Sequence, residues 1–132
     1  MTIFGAIGVA GTGMTVTRKW MDAISDNLAN ANTAVATSEE AFRTRYVVAQ
    51  EMTGEDGGVQ VAGIALGSAE GRLVHDPDNP LADEDGYVRY PDVDMSSQMT
   101  QLIMAQRGYQ ANAAVVSRAT EAYQAALQIG RS

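Results

Sequence analysis

The strongest constraint on this chain is a run of thirty-five residues, Met95–Ile129, with no proline and a single glycine, Gly108. Pro91 precedes it and Gly130 follows it, a helix breaker on one side and a C-terminal stop on the other. Eight alanines among Leu, Met, Gln and Arg make the interior a strong helix former. Steps of four and three link Met95, Met99, Leu102, Gln106, Tyr109, Ala113, Val116, Thr120, Tyr123 and Leu127, a helix seam with Gln106 and Thr120 as polar exceptions. A second row lies about 200° round the helix and holds Met104, Gly108, Ala111, Val115, Arg118, Ala122, Ala126 and Ile129, again largely apolar or small. A helix with two opposed apolar faces needs neighbours on both sides. At ~1.5 Å per residue it spans about 50 Å, longer than a domain of this size requires. The run predicts a helix built for an assembly.

The N-terminus carries a second seam: Ile3, Ile7, Ala10, Met14, Thr17, Met21, Ile24, Leu28 and Ala31. Gly5, Gly8, Gly11 and Gly13 weaken it, each costing roughly 1 kcal/mol against alanine in a helix interior. The first half is therefore expected to be helical only against partner helices, the glycines allowing close backbone approach. The helix should end in Ser25–Thr33, where Asn27, Asn30 and Asn32 suit a capped end. Asparagines in an apolar seam can also fix register between subunits.

Between the helices the pattern changes. Residues 34–41 read as a polar connector, and Phe42–Gln50 as a strand with Phe42, Thr44, Tyr46 and Val48 on one face. Glu55-Asp56-Gly57-Gly58 is a turn, and Val59–Leu66 a second strand. A short segment, Arg72–His75, follows, then the loop held by Pro77 and Pro80, and the Asp85-Gly86 turn leads into Tyr87–Tyr90, completing a small turn-rich β module. The fold class predicted is α+β: two long antiparallel, coiled-coil-like terminal helices around a small β-rich module. The boundaries are 1–33, 34–94 and 95–132. Charge follows the same division, since thirteen acids against four arginines give residues 34–94 a charge of −9 within a net −7 for the chain. Without a basic patch, nucleic-acid binding is not expected.

Most chemistry is excluded by composition. There is no cysteine and a single histidine, His75, so thiolate zinc sites, disulfides and multi-histidine metal centres cannot be built in one chain. The acidic loop around Asp83 and Asp85 fails as a calcium loop, because aligning Gly86 with the invariant glycine puts Leu81 at the first ligand position. His75 beside Asp76 has nothing convergent with it, and the N-terminal glycines follow no strand as a phosphate loop would. No enzyme and no cofactor is expected. The apolar N-terminus has no basic residue before Arg18 and falls short of the ~20 apolar residues of a membrane span, so neither a cleaved signal peptide nor membrane insertion is expected.

Two stretches resemble the axial proteins of the bacterial flagellum. Ser25-Asp-Asn-Leu-Ala-Asn-Ala-Asn-Thr33 is similar to the N-terminal signature of rod and hook proteins, and Gln106-Arg-Gly-Tyr-Gln-Ala-Asn112 to their C-terminal one. The stretch Asp76–Asp94 (DPDNPLADEDGYVRYPDVD) narrows the resemblance to FlgC-type proximal-rod subunits. Gly108 departs from it, standing where alanine is usual and loosening that turn. The resemblance implies a structural subunit exported through the flagellar type III apparatus without a cleaved signal peptide. It implies assembly with copies of itself and neighbouring rod proteins into a helical tube that crosses the periplasm and transmits torque. Larger distal-rod or hook subunits, and a secreted helical binding module, are the alternatives. The residues expected to carry assembly are Ile7, Met14, Met21, Asn27, Leu28, Asn30 and Asn32 in the first helix region. In the second they are Leu102, Met104, Arg107, Tyr109, Asn112, Val115, Val116, Ala122, Tyr123 and Leu127.

Overall fold

The computed structural model describes residues 2–131. Two helices, α1 (Ile3–Asn30) and α2 (Met95–Arg131), bracket four strands: β1 (Arg45–Glu51), β2 (Val59–Leu66), β3 (Arg72–His75) and β4 (Tyr87–Tyr90). The helices lie antiparallel, and the fold class is the α+β arrangement expected. Helix α1 starts where Thr2 caps it, its hydroxyl accepting from the Gly5 amide at 2.9 Å. It runs unbroken through all four glycines and stops in the asparagine run, where the Asn30 amide donates to the Asp26 carbonyl at 2.9 Å. Helix α2 starts beside Asp94, whose carboxylate accepts from the Ser97 amide at 3.2 Å.

The strands form two separate antiparallel ribbons rather than one sheet, β1 with β2 and β3 with β4. A bulge between Val48 and Ala49 shifts the first ribbon's register, pairing Val48 with Gly63 but Ala49 with Val61. Its face toward α1 carries Val47 and Ala49, which line a hollow with Val16, Thr17 and Trp20. Of the expected face of Phe42, Thr44, Tyr46 and Val48, the first two precede the strand, which begins at Arg45, and the last two lie on the side away from α1. Tyr46, Val47 and Val48 are consecutive and all apolar, so they carry no period-two signal. Tyr46 and Val48 are exposed instead.

The second ribbon is tied down by its connectors. Val35 bridges to Arg89 through reciprocal backbone bonds of 2.8 and 2.9 Å. The Arg89 guanidinium reaches across to the carbonyls of Thr37 and Glu70, joining the loops on both sides. Val88 and Pro91 are fully buried at its base, and the Thr44 hydroxyl donates to the Asp92 carbonyl at 2.8 Å just before α2 begins. The loop between β3 and β4 turns on Asp83. Its carboxylate accepts from the amides of Asp85 and Tyr87 and from the Thr37 hydroxyl, which holds its pKa below the ordinary carboxylate value, the Tyr87 bond being the largest cause.

Candidate functional site

The feature that this fold positions is the helix pair. In α1 the buried stripe repeats every seven residues as Ala10, Thr17, Ile24 and Ala31, alongside Gly13, Trp20 and Asn27. Ala10, Thr17, Ile24 and Ala31 lie on the seam read from the sequence, whereas Gly13, Trp20 and Asn27 stand one step before the expected Met14, Met21 and Leu28. In α2 the stripe runs Gln98, Leu102, Ala105, Tyr109, Asn112, Val116, Ala119 and Tyr123, buried or half-buried except for the last. Of the ten expected positions, Leu102, Tyr109, Ala113 and Val116 are half-buried, and Tyr123 is exposed against Phe4. At the alternate positions the buried residue is one step earlier: Gln98 for Met99, Ala105 for Gln106, Ala119 for Thr120, and Asn112 ahead of a half-buried Ala113. Gln106 and Thr120 are thus not polar exceptions in the seam but solvent-facing neighbours of it.

The seam is built from small and amide side chains. A Cβ on Gly13 would stand 2.7 Å from the Asn112 amide nitrogen, and one on Gly108 would stand 3.1 Å from Thr17 Cγ2. These glycines let the two backbones close on each other's side chains. Gly108 therefore serves the close approach of the helices, and the helix runs through it without interruption. Gly8 and Gly11 differ, with no atom within 4 Å of where a Cβ would be. Around the seam, Trp20 Nε1 donates to Gln101 Oε1 at 3.4 Å and the Arg18 guanidinium donates to the Tyr109 hydroxyl at 3.3 Å. Phe4 meets Tyr123 edge-on at 5.1 Å near the far end.

Asn27 is the centre of this arrangement. It is fully buried, and its carboxamide takes both the amide (2.8 Å) and the carbonyl (2.9 Å) of Arg45, as a neighbouring strand would. The same amide group donates to Gln98 Oε1 at 3.0 Å. One side chain so joins α1, β1 and α2, and Arg45 adds an exposed ion pair to Asp26 at 2.5 Å. Neither a cap nor a residue open to a neighbour, Asn27 fixes the subunit internally. Sequence reasoning missed its partner Gln98, along with Gly13 and Trp20. The available signal was the seven-residue spacing of Gln98, Ala105, Asn112 and Ala119, which hydropathy conceals.

The expected assembly residues divide into two sets. Ile7, Met14, Met21, Asn27, Leu28, Asn30, Leu102, Tyr109, Asn112 and Val116 are buried or half-buried within the subunit. Asn32, Met104, Arg107, Val115, Ala122, Tyr123 and Leu127 are exposed. With Met95, Met99 and Ile103 also exposed, α2 presents a long apolar surface outward. From Glu121 to Arg131 every residue of α2 is exposed, because Tyr123 already faces Phe4 and α1 begins at Ile3. Among the described residues no group of three or more His, Asp or Glu side chains is placed to hold a metal ion, and no helix is long and apolar enough to cross a membrane.

Terminal helices that pair through a close-packed seam with buried amides and still leave large apolar residues such as Met99, Ile103 and Met104 exposed have the form of an assembly subunit. The comparisons with known proteins give it a family. Residues 7–36 match the flagella basal body rod protein model, and residues 84–129 match that of the flagellar basal body rod FlgEFG protein C-terminal region. The flagellar basal-body rod protein FlgC of Yersinia enterocolitica is 37% identical over 120 residues, covering 89% of this chain and 90% of that protein. That of Bacillus subtilis is 31% identical over 150 residues, covering 99% and 100%, and that of Aquifex aeolicus 32% over 126 residues, covering 94% of each. The chain belongs to the flagellar basal-body rod protein family, structural components of the flagellum and not enzymes.

Proposed function

We propose that this chain is a subunit of the proximal rod, stacked with its own copies and neighbouring rod proteins into a tube that crosses the periplasm and passes motor torque to the hook. Export through the flagellar type III apparatus, without cleavage of a signal peptide, belongs to the same reading. In it, residues 1–33 and 95–132 form the assembly core and residues 34–94 an outward acidic module. The observation that carries the reading is the outer face of α2, where Met104 is 56% and Val115 45% exposed on a helix whose other side is already filled. An apolar surface of that length on a subunit of a polymeric family is what neighbours cover.

The test is substitution on that face. Val115→Asp or Ala122→Asp should leave the isolated chain's stability within about 0.5 kcal/mol, since neither side chain is used inside the subunit. Both should still be exported yet block rod completion and swimming in a strain lacking the wild-type gene. Normal basal bodies from either variant would overturn the reading.

A further inference from the structure

The chain holds two Asp-Gly dipeptides, Asp56-Gly57 between β1 and β2 and Asp85-Gly86 between β3 and β4. In such a pair the glycine amide nitrogen can attack the aspartate side-chain carboxyl. A C–N bond forms, one carboxyl oxygen leaves as water, and a five-membered succinimide results. Water then opens the ring at either carbonyl. Opening at the backbone carbonyl leaves the chain running through the side chain, as isoaspartate. One water leaves and one returns, so no oxidant or cofactor is needed. What the step does need is an amide free of acceptors and a backbone able to fold back onto the carboxyl.

We propose that Asp56 is a site of this modification, that the fold protects Asp85 from it, and that the change releases the β1–β2 tip from α1. Both glycines are left-handed, with φ 68° at Gly57 and 82° at Gly86, so local conformation does not separate them. Tethering does. The Gly86 amide donates to the Asp83 carbonyl at 3.0 Å, and the Asp85 amide to the Asp83 carboxylate at 3.0 Å. Gly86 is also buried, and a Cβ on it would stand 3.0 Å from His75 Nε2 and 3.1 Å from Pro77 Cβ. At the other turn residues 52–56 are all exposed. The first ribbon closes with the Met52 amide donating to the Gly58 carbonyl at 2.9 Å. Among the described residues no acceptor meets the Gly57 amide, and nothing lies within 4 Å of where its Cβ would be. A hollow of about 430 Å³ bordered by Asp56, Gly57, Gly8 and Thr12 leaves room beside the turn for the ring.

Helix α1 would feel the change through Thr12. Its hydroxyl accepts from the Val59 amide at 3.1 Å, and a Cβ on Gly58 would stand 2.8 Å from the same oxygen. Isoaspartate adds one methylene to the backbone between Met52 and Gly58, so the tip no longer fits over Thr12.

The test holds the full-length chain for weeks in warm neutral buffer made with heavy-oxygen water, then digests it in ordinary water for peptide mapping by mass spectrometry. Each ring opening leaves a heavy oxygen in its peptide. Methyl transfer from S-adenosylmethionine by a purified protein isoaspartate methyltransferase counts the isoaspartate formed. In the folded chain, label at Asp56 is expected to exceed that at Asp85 about tenfold, and in guanidinium chloride the two should converge. Asp56→Glu, whose longer side chain would have to close a six-membered ring, should remove most of the methyl acceptance. Amide exchange on the separated isoaspartate form should show Val59 losing protection while residues 98–119 keep theirs. Equal label at both sites in the folded chain, a tenfold gap that persists in guanidinium chloride, or methyl acceptance that survives Asp56→Glu would overturn the site. Unchanged protection at Val59 would overturn the release of the tip.

Discussion

The two faces of α2 invert the usual arrangement. Against α1 it presents Gln98, Ala105, Gly108 and Asn112, two amides and two small residues, interleaved with the half-buried Leu102, Tyr109 and Val116. Outward it presents Met99, Ile103, Met104, Val115 and Leu127. In a monomer whose stability came from one core, the large apolar groups would be inside. Here the inner face gains from close backbone approach and a satisfied amide cluster, and the outer face holds its apolar surface back for other chains. The difference separates what makes the subunit a defined shape from what makes it polymerise.

The inner face can be broken most severely at Asn27. Asn27→Ala would leave the Arg45 backbone amide and carbonyl and Gln98 Oε1 without these partners in a buried site. It would also leave a void where three elements meet. A destabilisation of about 3 kcal/mol is expected by thermal or urea unfolding of the isolated chain. Asn27→Asp should recover little, since a carboxylate cannot donate to the Arg45 carbonyl or to Gln98. A loss below 1 kcal/mol would mean that the amide cluster is not what joins the helices to β1.

The glycines separate the faces next. A side chain on Gly13 meets Asn112, while one on Gly8 meets nothing. Gly13→Leu is expected to destabilise the isolated chain by about 1–3 kcal/mol through overpacking. Gly8→Leu should stabilise it by up to about 1 kcal/mol through helix propensity alone. If the open side of α1 is also covered by a neighbour, Gly8→Leu will stabilise the purified chain and still hinder rod formation, a split visible by comparing melting with swimming.

The same contrast explains what could be read from residue types alone. The helices, the first two strands and a turn-rich β module after them follow from local signals: proline-free runs, β-branched alternation and glycine turns. Their limits agree with the structure to within a residue or two, apart from the start of β1. The inner row of α2 is displaced at every second position because the four-three count starts from Met99, which hydropathy prefers to Gln98, and then carries through Gln106 and Thr120 although Ala105 and Ala119 are the ones buried. Burial of an amide depends on a partner far along the chain, as Gln98 depends on Asn27, and no local pattern carries that. The row of α1 shows the same step, with Gly13, Trp20 and Asn27 standing one residue before Met14, Met21 and Leu28, while Ala10 and Ile24 are buried where the apolar pattern puts them. The outer surface was legible for the opposite reason: nothing in so short a β region could cover Met104 and Val115.

The smallest expected effect concerns acid, and it sharpens the comparison by asking where the subunit is sensitive to it. The inner seam of the helix pair contains no carboxylate, whereas the β3–β4 loop is ordered around the Asp83 carboxylate. With its pKa lowered in the folded state, Asp83 contributes stability that is fully present above the ordinary aspartate value. That contribution is lost as pH falls through the lowered one. Protonation removes acceptors from the Asp85 and Tyr87 amides and from Thr37, so the loop should loosen while the helices stay paired. Amide exchange during an acid titration should show residues 83–87 losing protection before residues 98–119. Asp83→Asn should abolish that local step, because an amide there does not titrate. Simultaneous loss of protection in loop and seam would show instead that the Asp83 turn and the helix pair open as one unit.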